Sequence, residues 1–437
     1  MENKVVVYWF RRDLRLEDNK GLQQALASGL PVLPVFIFDN DILDQLSDPY
    51  DRRVDYIHQA LISINDTLHK YQSALQVYHG KPLEIFEQIT TQYQVQAFYC
   101  NRDYEPQAIK RDHAVKKQLQ KNGIQFYDFK DQVIFDQSEV VKADGLPYTV
   151  YTPYAKKWRS ELQQEHYKTA KVDLNNLLKA QPDNIVSLAN IGFRKTDISF
   201  QKPTPDFDII KDYDKYRDFP SLDKTSHLGI ALRFGTISIR ECVSFAIKYN
   251  DTWLSELIWR EFFMQILYHF PEVVHRSFKP QYDYIEWRNN EEEFQRWCRG
   301  ETGYPIVDAG MRQLNTTGFM HNRVRMIVAS FLCKHLLIDW RWGEAYFAEK
   351  LLDYDLAANN GNWQWAAGSG CDAAPYFRIF NPTAQTQKFD KDLQYIKKWN
   401  PDFQQNITSP IVQHEIARQR TLQTYKKALQ NKELYYK

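Results

Sequence analysis

The sequence predicts a protein with an α/β domain followed by an all-α domain. The chain has 437 residues, more than one hydrophobic core usually serves. Short β-rich runs alternate with amphipathic helical stretches over roughly the first 130 residues, which predicts βαβ units and a parallel sheet. From about Asp212 onward helical periodicity dominates. The aromatic content follows the same division, because only one of the 11 Trp residues, Trp9, precedes Trp158.

The first domain, residues 1–130, is predicted to be a doubly wound sheet of five parallel strands. The predicted strands are Val5–Phe10, Val32–Phe38, Leu75–His79, Val95–Cys100 and Ile124–Phe129. The predicted helices are Gly21–Ala27, Arg52–Lys70, Pro82–Gln92 and Gln107–Lys121, and Gly123 is a plausible cap for the last of them. Ligands of such sheets bind at the carboxyl ends of the strands.

The rest of the chain is predicted to be a long linker and a helical domain. Residues 131–205 lose periodicity and carry several prolines, so they are predicted to connect the domains. Residues 206–437 are predicted to be all-helical. The predicted helical runs are Leu228–Tyr249, Trp253–His269, Gly310–Lys334, Gly343–Leu356 and a final helix Gln413–Leu434.

Composition excludes several classes of protein. Hydrophobic residues make up 43% and charged residues 25%, the values of an ordinary globular protein rather than of a fibrous or disordered one. No apolar run approaches the ~20 residues that span a bilayer, and the N-terminus does not resemble a secretory signal, so we expect a cytoplasmic protein. Five scattered Cys without CxxC spacing indicate a reducing compartment and argue against a disulfide framework or zinc site.

The net charge and the lack of common site motifs exclude further classes of function. A formal net charge of +1 excludes a polybasic nucleic-acid binder, so any such binding needs a local patch. The sequence contains no G-x-G-x-x-G, P-loop, H-E-x-x-H or EF-hand pattern. A phosphate could instead sit at the N-terminus of the predicted helix Leu228–Tyr249, where Thr225 and Ser226 supply hydroxyls. A plain helix cap explains the same two residues, and the residues alone favour the cap.

The helical half contains groups of residues whose spacing places them together. Glu256, Trp259 and Arg260 share one helix face, although an ordinary Glu–Arg pair beside a core Trp would look the same. After Gly318, a second helix face presents a set that suits a ligand with phosphates and planar bases. That set is Asn322, Arg325 and Met326, whereas Arg323 points elsewhere and could be a solvated charge.

A third segment is too polar for an ordinary helix. Asp353, Asp355, Asn359 and Asn360 are residues that compete with helical hydrogen bonds, so they resemble contacts to a polar ligand. Further along, Trp363 and Trp365 lie about 200° apart on a helix, so they must face different environments. One of them is free to line a cleft while the other is core. By themselves, Trp287 and Trp340 read as core residues.

These residues carry a resemblance to the photolyase/cryptochrome flavoprotein family, closest to the class I cyclobutane-pyrimidine-dimer DNA photolyases. The similar tracts extend over nearly the whole chain. They are WFRRDLRL at 9–16, Tyr213 with RDFP at 217–220, TSHL at 225–228, ELIWRE at 256–261, TGYPIVDA at 302–309, MHNRVRM at 320–326, Asp339–Trp340, and 355–380.

The resemblance implies a light-harvesting antenna in the N-terminal domain and a U-shaped FAD in the helical domain. The implied contacts to the FAD phosphates and ribitol are Tyr213, Thr225, Ser226 and Leu228, which favours the helix-terminus interpretation over the plain cap. Trp253 and Arg260 would flank the flavin cavity. Arg325 would pair with Asp353 beside the flavin ring, Asp355 would approach its polar edge, and Asn359 would face flavin N5.

The resemblance also implies a substrate, a thymine dimer flipped out of damaged DNA. Glu256 would hydrogen-bond the dimer, Trp259 and Trp365 would be its apolar walls, and Asn322 and Met326 would complete the pocket. Light would drive an electron from reduced FAD to the dimer, the ring would split and the electron would return. Trp363, Trp340 and Trp287 match the tryptophan relay that re-reduces oxidised flavin. Arg323, Arg276 and Lys279 are expected to contact DNA phosphates.

Some positions depart from the family pattern. Gly229 stands where Ser is usual, so backbone or water is expected to replace one phosphate contact. Phe319 replaces a common Trp. Gln107 and Ala108 lie where folate-binding relatives carry an acidic contact, so the antenna is left open between a deazaflavin, a second flavin and none.

Two other functions remain as alternatives to a monomeric repair enzyme. A signalling cryptochrome would act through protein partners, but Asn359 is the photolyase-type residue and no long tail follows the predicted last helix. A light-independent flavin-binding protein would need no dimer pocket. The joint presence of Glu256, Trp259, Asn322, Met326 and Trp365 argues against it. The resemblance therefore implies the activity of a deoxyribodipyrimidine photo-lyase, a carbon–carbon lyase.

Overall fold

The structure, a computed structural model, describes residues 4–181, 184–405 and 409–430. The chain divides into two compact units that interleave along the sequence. The first unit comprises Met1–Val140, Trp158–Pro205 and His227–Tyr249, and the second comprises Val141–Lys157, Asp206–Ser226 and Asn250–Lys437. The domain boundaries at residues 130 and 205 stay a prediction.

The first unit is built on a five-stranded parallel sheet, as the sequence predicts. The strands are β1 (Lys4–Phe10), β2 (Val32–Asp39), β3 (Gln76–Gly80), β4 (Gln94–Asn101) and β5 (Gln125–Phe129). They lie in the order β3-β2-β1-β4-β5. The chain places β2 and β3 on one side of β1 and then crosses to the other side of β1 for β4 and β5. The central strands β1 and β2 are almost wholly buried, which explains their continuous apolar runs.

Five helices cover the sheet, four of them at the predicted positions, whereas the short helix Asn40–Leu43 was not predicted. They are α1 (Lys20–Leu26), α2 (Asn40–Leu43), α3 (Arg52–His69), α4 (Pro82–Gln92) and α5 (Pro106–Lys121). Gly123 has a φ of +72°, the left-handed conformation that ends a helix cheaply only in glycine. Part of the predicted linker also packs into this core, through Leu174, Leu177, Ile191 and Phe193.

The predicted single helix Leu228–Tyr249 is wrong, because the chain forms two helices there. After α6 (Tyr151–Glu161), α7 (Gln164–Tyr167), α8 (Phe207–Ile210) and α9 (Tyr213–Tyr216) come α10 (Gly229–Phe234) and α11 (Ile239–Tyr249). Gly235 breaks the run with a φ of +62°. A Cβ there would lie 2.2 Å from the carbonyl oxygen of Arg12, so the close approach of two backbones requires glycine.

Buried charges fix α11 within the first unit. Arg240 donates from Nε to Asp18 at 2.9 Å and from Nη2 to Asp131 at 2.6 Å. Arg15 donates to the other oxygen of Asp131 at 2.6 Å. These side chains are nearly inaccessible to water, so removing one partner would leave an uncompensated buried charge.

The second unit is helical, and two of the predicted helical runs contain a break. Its later helices are α12 (Asp251–His269), α13 (Glu291–Arg299), α14 (Pro305–Thr317), α15 (Asn322–Ser330), α16 (Trp340–Lys350), α17 (Leu356–Ala367), α18 (Pro382–Phe389), α19 (Gln394–Trp399) and α20 (His414–Gln430). The predicted run Gly310–Lys334 breaks at Gly318, whose φ is +69°, and ends in a π-helix, Phe331–Leu336. Within the predicted run Gly343–Leu356, the helix ends at Lys350. A new helix begins at Leu356, where the Asp355 carboxylate accepts from the amide of Ala358 and caps it.

Helix α17 lies at the centre of the second unit and packs against α12, α15 and α16. Two glycines allow the close approaches. A Cβ on Gly361 would lie 2.1 Å from the ring of Phe263, and a Cβ on Gly343 would lie 2.1 Å from the ring of Trp363. Within the described residues, no helix combines the length and apolarity that a membrane crossing requires. The last four residues of the predicted helix Gln413–Leu434 fall outside those residues.

Candidate functional site

A cavity in the second unit gathers residues that the sequence analysis singled out separately. It is bounded mainly by α15, α16, α17 and the segment before α17. Its lining includes Asn322, Arg325, Met326, Asp353, Asp355, Asn359, Trp363 and Trp365. Arg323 is not among the lining residues. The predicted division of the α15 face, with Arg323 pointing elsewhere, is therefore confirmed.

An ion pair with fixed geometry forms one side of the cavity. Nη2 of Arg325 donates to both carboxylate oxygens of Asp353, at 2.9 and 3.1 Å. Its Nε donates to the carbonyl oxygen of Met320 at 2.7 Å. The guanidinium also lies over the ring of Phe319, 5.7 Å from its centroid. With these contacts held, the guanidinium presents a planar donor edge rather than a mobile charge.

The side-chain amide of Asn359 is oriented by a residue that the sequence analysis missed. Its Nδ2 donates to Glu344, at 2.9 Å to Oε1 and 3.1 Å to the backbone carbonyl oxygen. Because the amide hydrogens are used on Glu344, the amide oxygen is left as an acceptor. Burial raises the pKa of Glu344. Glu344 lies 15 residues from Asn359 on another helix, so no spacing rule pointed to it.

Trp363 and Trp365 face different environments, as their spacing predicts. Trp363 is 2% exposed and packs in the core, with the ring of Phe347 at 5.0 Å. Trp365 is only half-buried and lies beneath the guanidinium of Arg378 at 5.9 Å. One indole is thus fixed inside the unit while the other offers an apolar wall to whatever enters.

The two other predicted relay residues differ in exposure. Trp340 is 1% exposed, and no described residue accepts a hydrogen bond from its indole Nε1. Trp287 is half-buried and meets the ring of Tyr425 edge-on at 6.0 Å.

A second cluster lies on α12, outside the lining of the cavity. Nη1 of Arg217 donates to Glu256 at 2.5 Å, so the hypothesis of a simple Glu256–Arg260 pair is wrong. Burial raises the pKa of Glu256, although the facing Arg217 opposes that shift. The ring of Tyr151 lies flat on Trp259, with centroids 3.6 Å apart and planes 5° apart. No sequence pattern pointed to Tyr151, because the stack joins segments that are distant in the chain.

The remaining predicted FAD contacts lie outside the lining of the cavity. Trp253 is 3% exposed near the start of α12, and Tyr213 lies under the guanidinium of Arg217 at 5.4 Å. Thr225 and Ser226 are half-buried. The plain-cap interpretation of those two is wrong, because the N-cap of α10 is Leu228 and no side chain caps the helix. The helix is also only six residues long, so its dipole is weaker than the predicted run would give.

Arg323 is not the freely solvated charge that one interpretation allowed. Its Nη2 donates to Asp218 at 2.7 Å, and its guanidinium lies 4.4 Å from the ring centroid of Phe389. The side chain is 18% exposed. A phosphate that approached it would compete with the Asp218 carboxylate.

A buried lysine anchors the carboxyl end of α17. Nζ of Lys334 donates to the carbonyl oxygens of Ala367 at 2.8 Å and Tyr376 at 3.2 Å. It also lies 3.9 Å above the ring of Tyr425, whose hydroxyl donates to Ala367. Burial lowers the pKa of Lys334 from 10.5 to about 7.

We therefore expect the free energy of unfolding to rise with pH between about 7 and 10 through this lysine. The unfolded chain binds the Lys334 proton over that interval and the folded chain does not, so each step up in pH favours the folded state. Lys334→Met should flatten this slope in denaturant unfolding measured at several pH values. Lys116→Met, at an exposed site, is the control. An unchanged slope in the Lys334 variant would contradict the assignment.

Comparisons with known proteins identify the family. The family model described as the FAD binding domain of DNA photolyase matches residues 253–433, and the model described as DNA photolyase matches residues 6–172. The chain is 38% identical to the deoxyribodipyrimidine photo-lyase of Synechococcus sp., over 94% of this chain and 90% of that protein. The chain belongs to the DNA photolyase family.

Solved photolyase structures share the whole fold. The chain is 34% identical to a bacterial class III photolyase from Agrobacterium tumefaciens, with a TM-score of 0.86. The match covers 98% of this chain and 98% of that one. An archaeal photolyase from Sulfolobus tokodaii, solved with two FAD molecules, is 33% identical with a TM-score of 0.82, over 97% of this chain and 99% of that one. A Synechocystis cryptochrome is more distant, at 26% identity and a TM-score of 0.80, over 98% and 99% of the two chains.

These matches confirm the inferred family, the fold class, light-dependent DNA repair as the function, deoxyribodipyrimidine photo-lyase as the enzyme class, and FAD as the cofactor. The cavity suits the flavin end of that cofactor. Apolar surfaces from Trp363, Phe347 and Ala366 stand beside the Arg325–Asp353 pair and the Asn359 amide. A planar ring system with a polar edge requires that combination.

Proposed function

We propose that the cavity between α15, α16 and α17 holds the isoalloxazine ring of FAD, and that a cyclobutane pyrimidine dimer flipped out of DNA is repaired beside it. The convergence of Arg325, Asp353, Asn359 and Trp365 in one cavity carries the proposal. When bound and reduced, FAD supplies a photoexcited electron to the dimer. The protein's part is to bind, orient and exclude water.

The proposed FAD contacts divide by chemistry. Arg325, held by Asp353, hydrogen-bonds the polar edge of the ring, and Asp355 lies nearby at the start of α17. Asn359 faces N5. Trp253 and Arg260 flank the ring, while Tyr213, Thr225, Ser226 and Leu228 contact the phosphates and ribitol.

Asn359→Asp should slow repair by about tenfold or more, the effect of ~1.4 kcal/mol on the barrier. The new carboxylate would lie within hydrogen-bond distance of Glu344 and beside the negative charge of the reduced cofactor, so like charges would oppose reduction. Dimer loss under blue light and the rate of cofactor reduction are the measurements.

The controls for Asn359→Asp test charge and orientation separately. Asn175→Asp adds the same charge at an exposed position of the other unit and should leave both rates unchanged. Glu344→Gln keeps an amide oxygen for Asn359 to donate to and should have a smaller effect than Asn359→Asp. A reduced state as persistent in Asn359→Asp as in wild type would contradict the N5 assignment.

The proposed substrate contacts combine both clusters. Glu256 hydrogen-bonds the dimer and stabilises charge that develops on it, and its bond to Arg217 fixes the carboxylate before substrate arrives. Trp259 and Trp365 enclose the dimer, and Asn322 and Met326 complete the pocket. Arg323, Arg276 and Lys279 contact DNA phosphates.

Arg323→Ala should weaken binding to damaged and undamaged DNA alike and lower the salt slope by about one counterion. Asp218→Asn should act in the opposite direction, because it releases the guanidinium from its ion pair. Binding titrations at several salt concentrations measure both. A salt slope that neither variant changes would place Arg323 off the DNA path.

The proposal extends to the antenna, the oligomeric state and the location. A second chromophore, a deazaflavin or a second flavin, would lie at the carboxyl ends of the strands of the first unit. The enzyme acts as a monomer in the cytoplasm. The free cysteines support a reducing compartment, and burial raises the pKa of Cys371 to about 11, which keeps that thiol unreactive.

One experiment tests the function directly. Purified protein, reduced with dithionite, is illuminated with blue light in the presence of dimer-containing DNA, and the dimers are counted. Light-dependent loss of dimers supports the proposal. Reduced protein that binds FAD and leaves the dimers intact in the light would favour the signalling cryptochrome instead.

A further inference from the structure

Tyr151, the first residue of α6, is held against the helix that carries Trp259. Its ring lies flat on the indole, with centroids 3.6 Å apart and planes 5° apart. Its hydroxyl donates to the carbonyl oxygen of Ser255 at 2.9 Å, one turn before Trp259 on α12. Its ring also meets that of Phe262 edge-on, with centroids 5.9 Å apart. Both the apolar ring and the polar end of Tyr151 are therefore bound to α12.

The backbone of Tyr151 is held by a different segment of the second unit. Its N–H donates to the carboxylate of Asp372 at 3.0 Å. Asp372 lies in the segment that follows α17. The same segment carries Arg378, whose guanidinium lies 5.9 Å from the ring centroid of Trp365. Tyr151 is thus stacked on one of the two proposed substrate walls and bonded to the segment that packs on the other.

We propose that Tyr151 is a positioning residue that determines how strongly the enzyme distinguishes a dimer from undamaged DNA. The proposal rests on the proposed function, in which Trp259 and Trp365 enclose the flipped dimer. An indole has two faces, and a ring stacked on one of them leaves only the other face and the edges for a ligand. Tyr151 therefore determines which surface of Trp259 the dimer meets.

A wall that is already fixed binds a ligand more tightly than a mobile one. A free Trp side chain rotates about two bonds, and a ligand that stacks on it must stop that rotation, which costs binding free energy. The stack with Tyr151 restricts Trp259 before the substrate arrives. Undamaged DNA keeps its bases in the duplex, and only a flipped nucleotide reaches the walls. Loss of the stack should therefore weaken binding to damaged DNA and leave binding to undamaged DNA unchanged.

The stack is uncharged, which distinguishes its effect from that of a contact to a DNA phosphate. A ring contact displaces no counterion from DNA, so its loss should lower the affinity by the same factor at every salt concentration. Arg323→Ala is expected to do the reverse, with a lower salt slope and weaker binding to both kinds of DNA. The salt dependence and the ratio of the two affinities therefore separate the roles of Tyr151 and Arg323.

The test measures binding of FAD-loaded protein to short dimer-containing and undamaged duplexes at several salt concentrations. Tyr151→Leu should lower the affinity for the dimer about tenfold, within the range for loss of one base–aromatic stack, and leave the salt slope and the affinity for undamaged DNA unchanged. Tyr151→Phe keeps the stacked ring and should restore the discrimination. Tyr249→Leu is the control, because it removes a half-buried tyrosine that packs on Phe245 in the other unit, and it should change neither affinity.

A double-mutant cycle distinguishes positioning from general damage to the fold. With Trp259→Leu in place, Tyr151→Leu should weaken dimer binding no further, because the wall that Tyr151 positions is gone. Asp372→Ala leaves both rings in place and removes only the carboxylate that holds the Tyr151 backbone, so it should lower the discrimination without a loss of ring contacts.

The outcomes separate this proposal from the proposed function. Unchanged discrimination in either folded variant, Tyr151→Leu or Asp372→Ala, would overturn the positioning role. Equal weakening of damaged and undamaged DNA, or additive effects of Tyr151→Leu and Trp259→Leu, would overturn it as well. Unchanged dimer affinity in Trp259→Leu would instead refute the assignment of Trp259 as a wall. Light-dependent repair by the reduced wild-type protein would show that the proposed function stands in each case.

Discussion

Trp363→Phe is expected to abolish photoreduction of oxidised FAD and to leave repair by chemically reduced enzyme largely intact. Trp363 borders the cavity on one side and contacts buried aromatics on the other, so it lies where the predicted relay would reach the flavin. Phenylalanine fills much of the same space but does not give up an electron readily. The substitution therefore interrupts electron supply without changing the substrate pocket.

Two measurements distinguish the supply of electrons to FAD from the repair of dimers. Flavin absorbance under blue light with an added thiol follows photoreduction, and dimer counting after dithionite reduction follows repair. Gly343 packs directly on the Trp363 ring, so circular dichroism and thermal unfolding check that the smaller ring leaves the fold unchanged. Equal loss of both activities in a folded variant would refute this division of roles.

We expect the enzyme to discriminate strongly between two DNA lesions. It should repair cyclobutane dimers and show no useful turnover of six-four photoproducts. Six-four photolyases resemble this family in the flavin site but carry two histidines at positions that match Asn322 and Met326. Their chemistry requires proton transfer to the lesion. An amide and a thioether cannot donate a proton at neutral pH, whereas histidine titrates near it.

The structure supports that expectation at a neighbouring residue. His321 is 3% exposed and its Nδ1 accepts from the backbone N–H of Arg323, so it caps α15 instead of facing the cavity. None of the described residues that line the cavity is a histidine. The pocket can supply hydrogen bonds and an electron path. That suffices for a cyclobutane ring, which splits after electron transfer without obligatory proton delivery.

The test offers each lesion separately, in short single-stranded and double-stranded DNA, to reduced enzyme under blue light. Chromatography of the digested DNA counts each lesion before and after illumination. Undamaged DNA of the same sequence is the control for binding alone. Turnover of the six-four product, or failure to split the cyclobutane dimer with FAD fully reduced, would overturn the assignment of substrate.

The sequence by itself determined the elements whose signals are local. Short β-rich runs between helical stretches predicted all five strands of the sheet, and the ~200° separation of Trp363 and Trp365 predicted that the two indoles face different environments. The same spacing rule placed Asn322, Arg325 and Met326 on one face of α15. These predictions succeeded because each depends on the geometry of a single strand or helix.

Helix ends were harder, because side-chain periodicity continues through a break. Gly235 and Gly318 each adopt a left-handed conformation, and Gly235 does so where another part of the chain leaves no room for a Cβ. Periodicity within the segment contains no record of that neighbour. The apolar periodicity therefore continues through both glycines, and each predicted helical run included one of the breaks.

The partners of the site residues were decided only by the tertiary structure. Glu256 bonds Arg217 rather than Arg260 four residues away, Asn359 bonds Glu344, and Trp259 stacks on Tyr151. Each pair joins segments far apart in the chain, whose approach depends on the packing of whole helices. The sequence specifies which residues carry the chemistry, whereas the fold specifies which of them meet, because hydrogen bonds and ring contacts form only over a few ångströms.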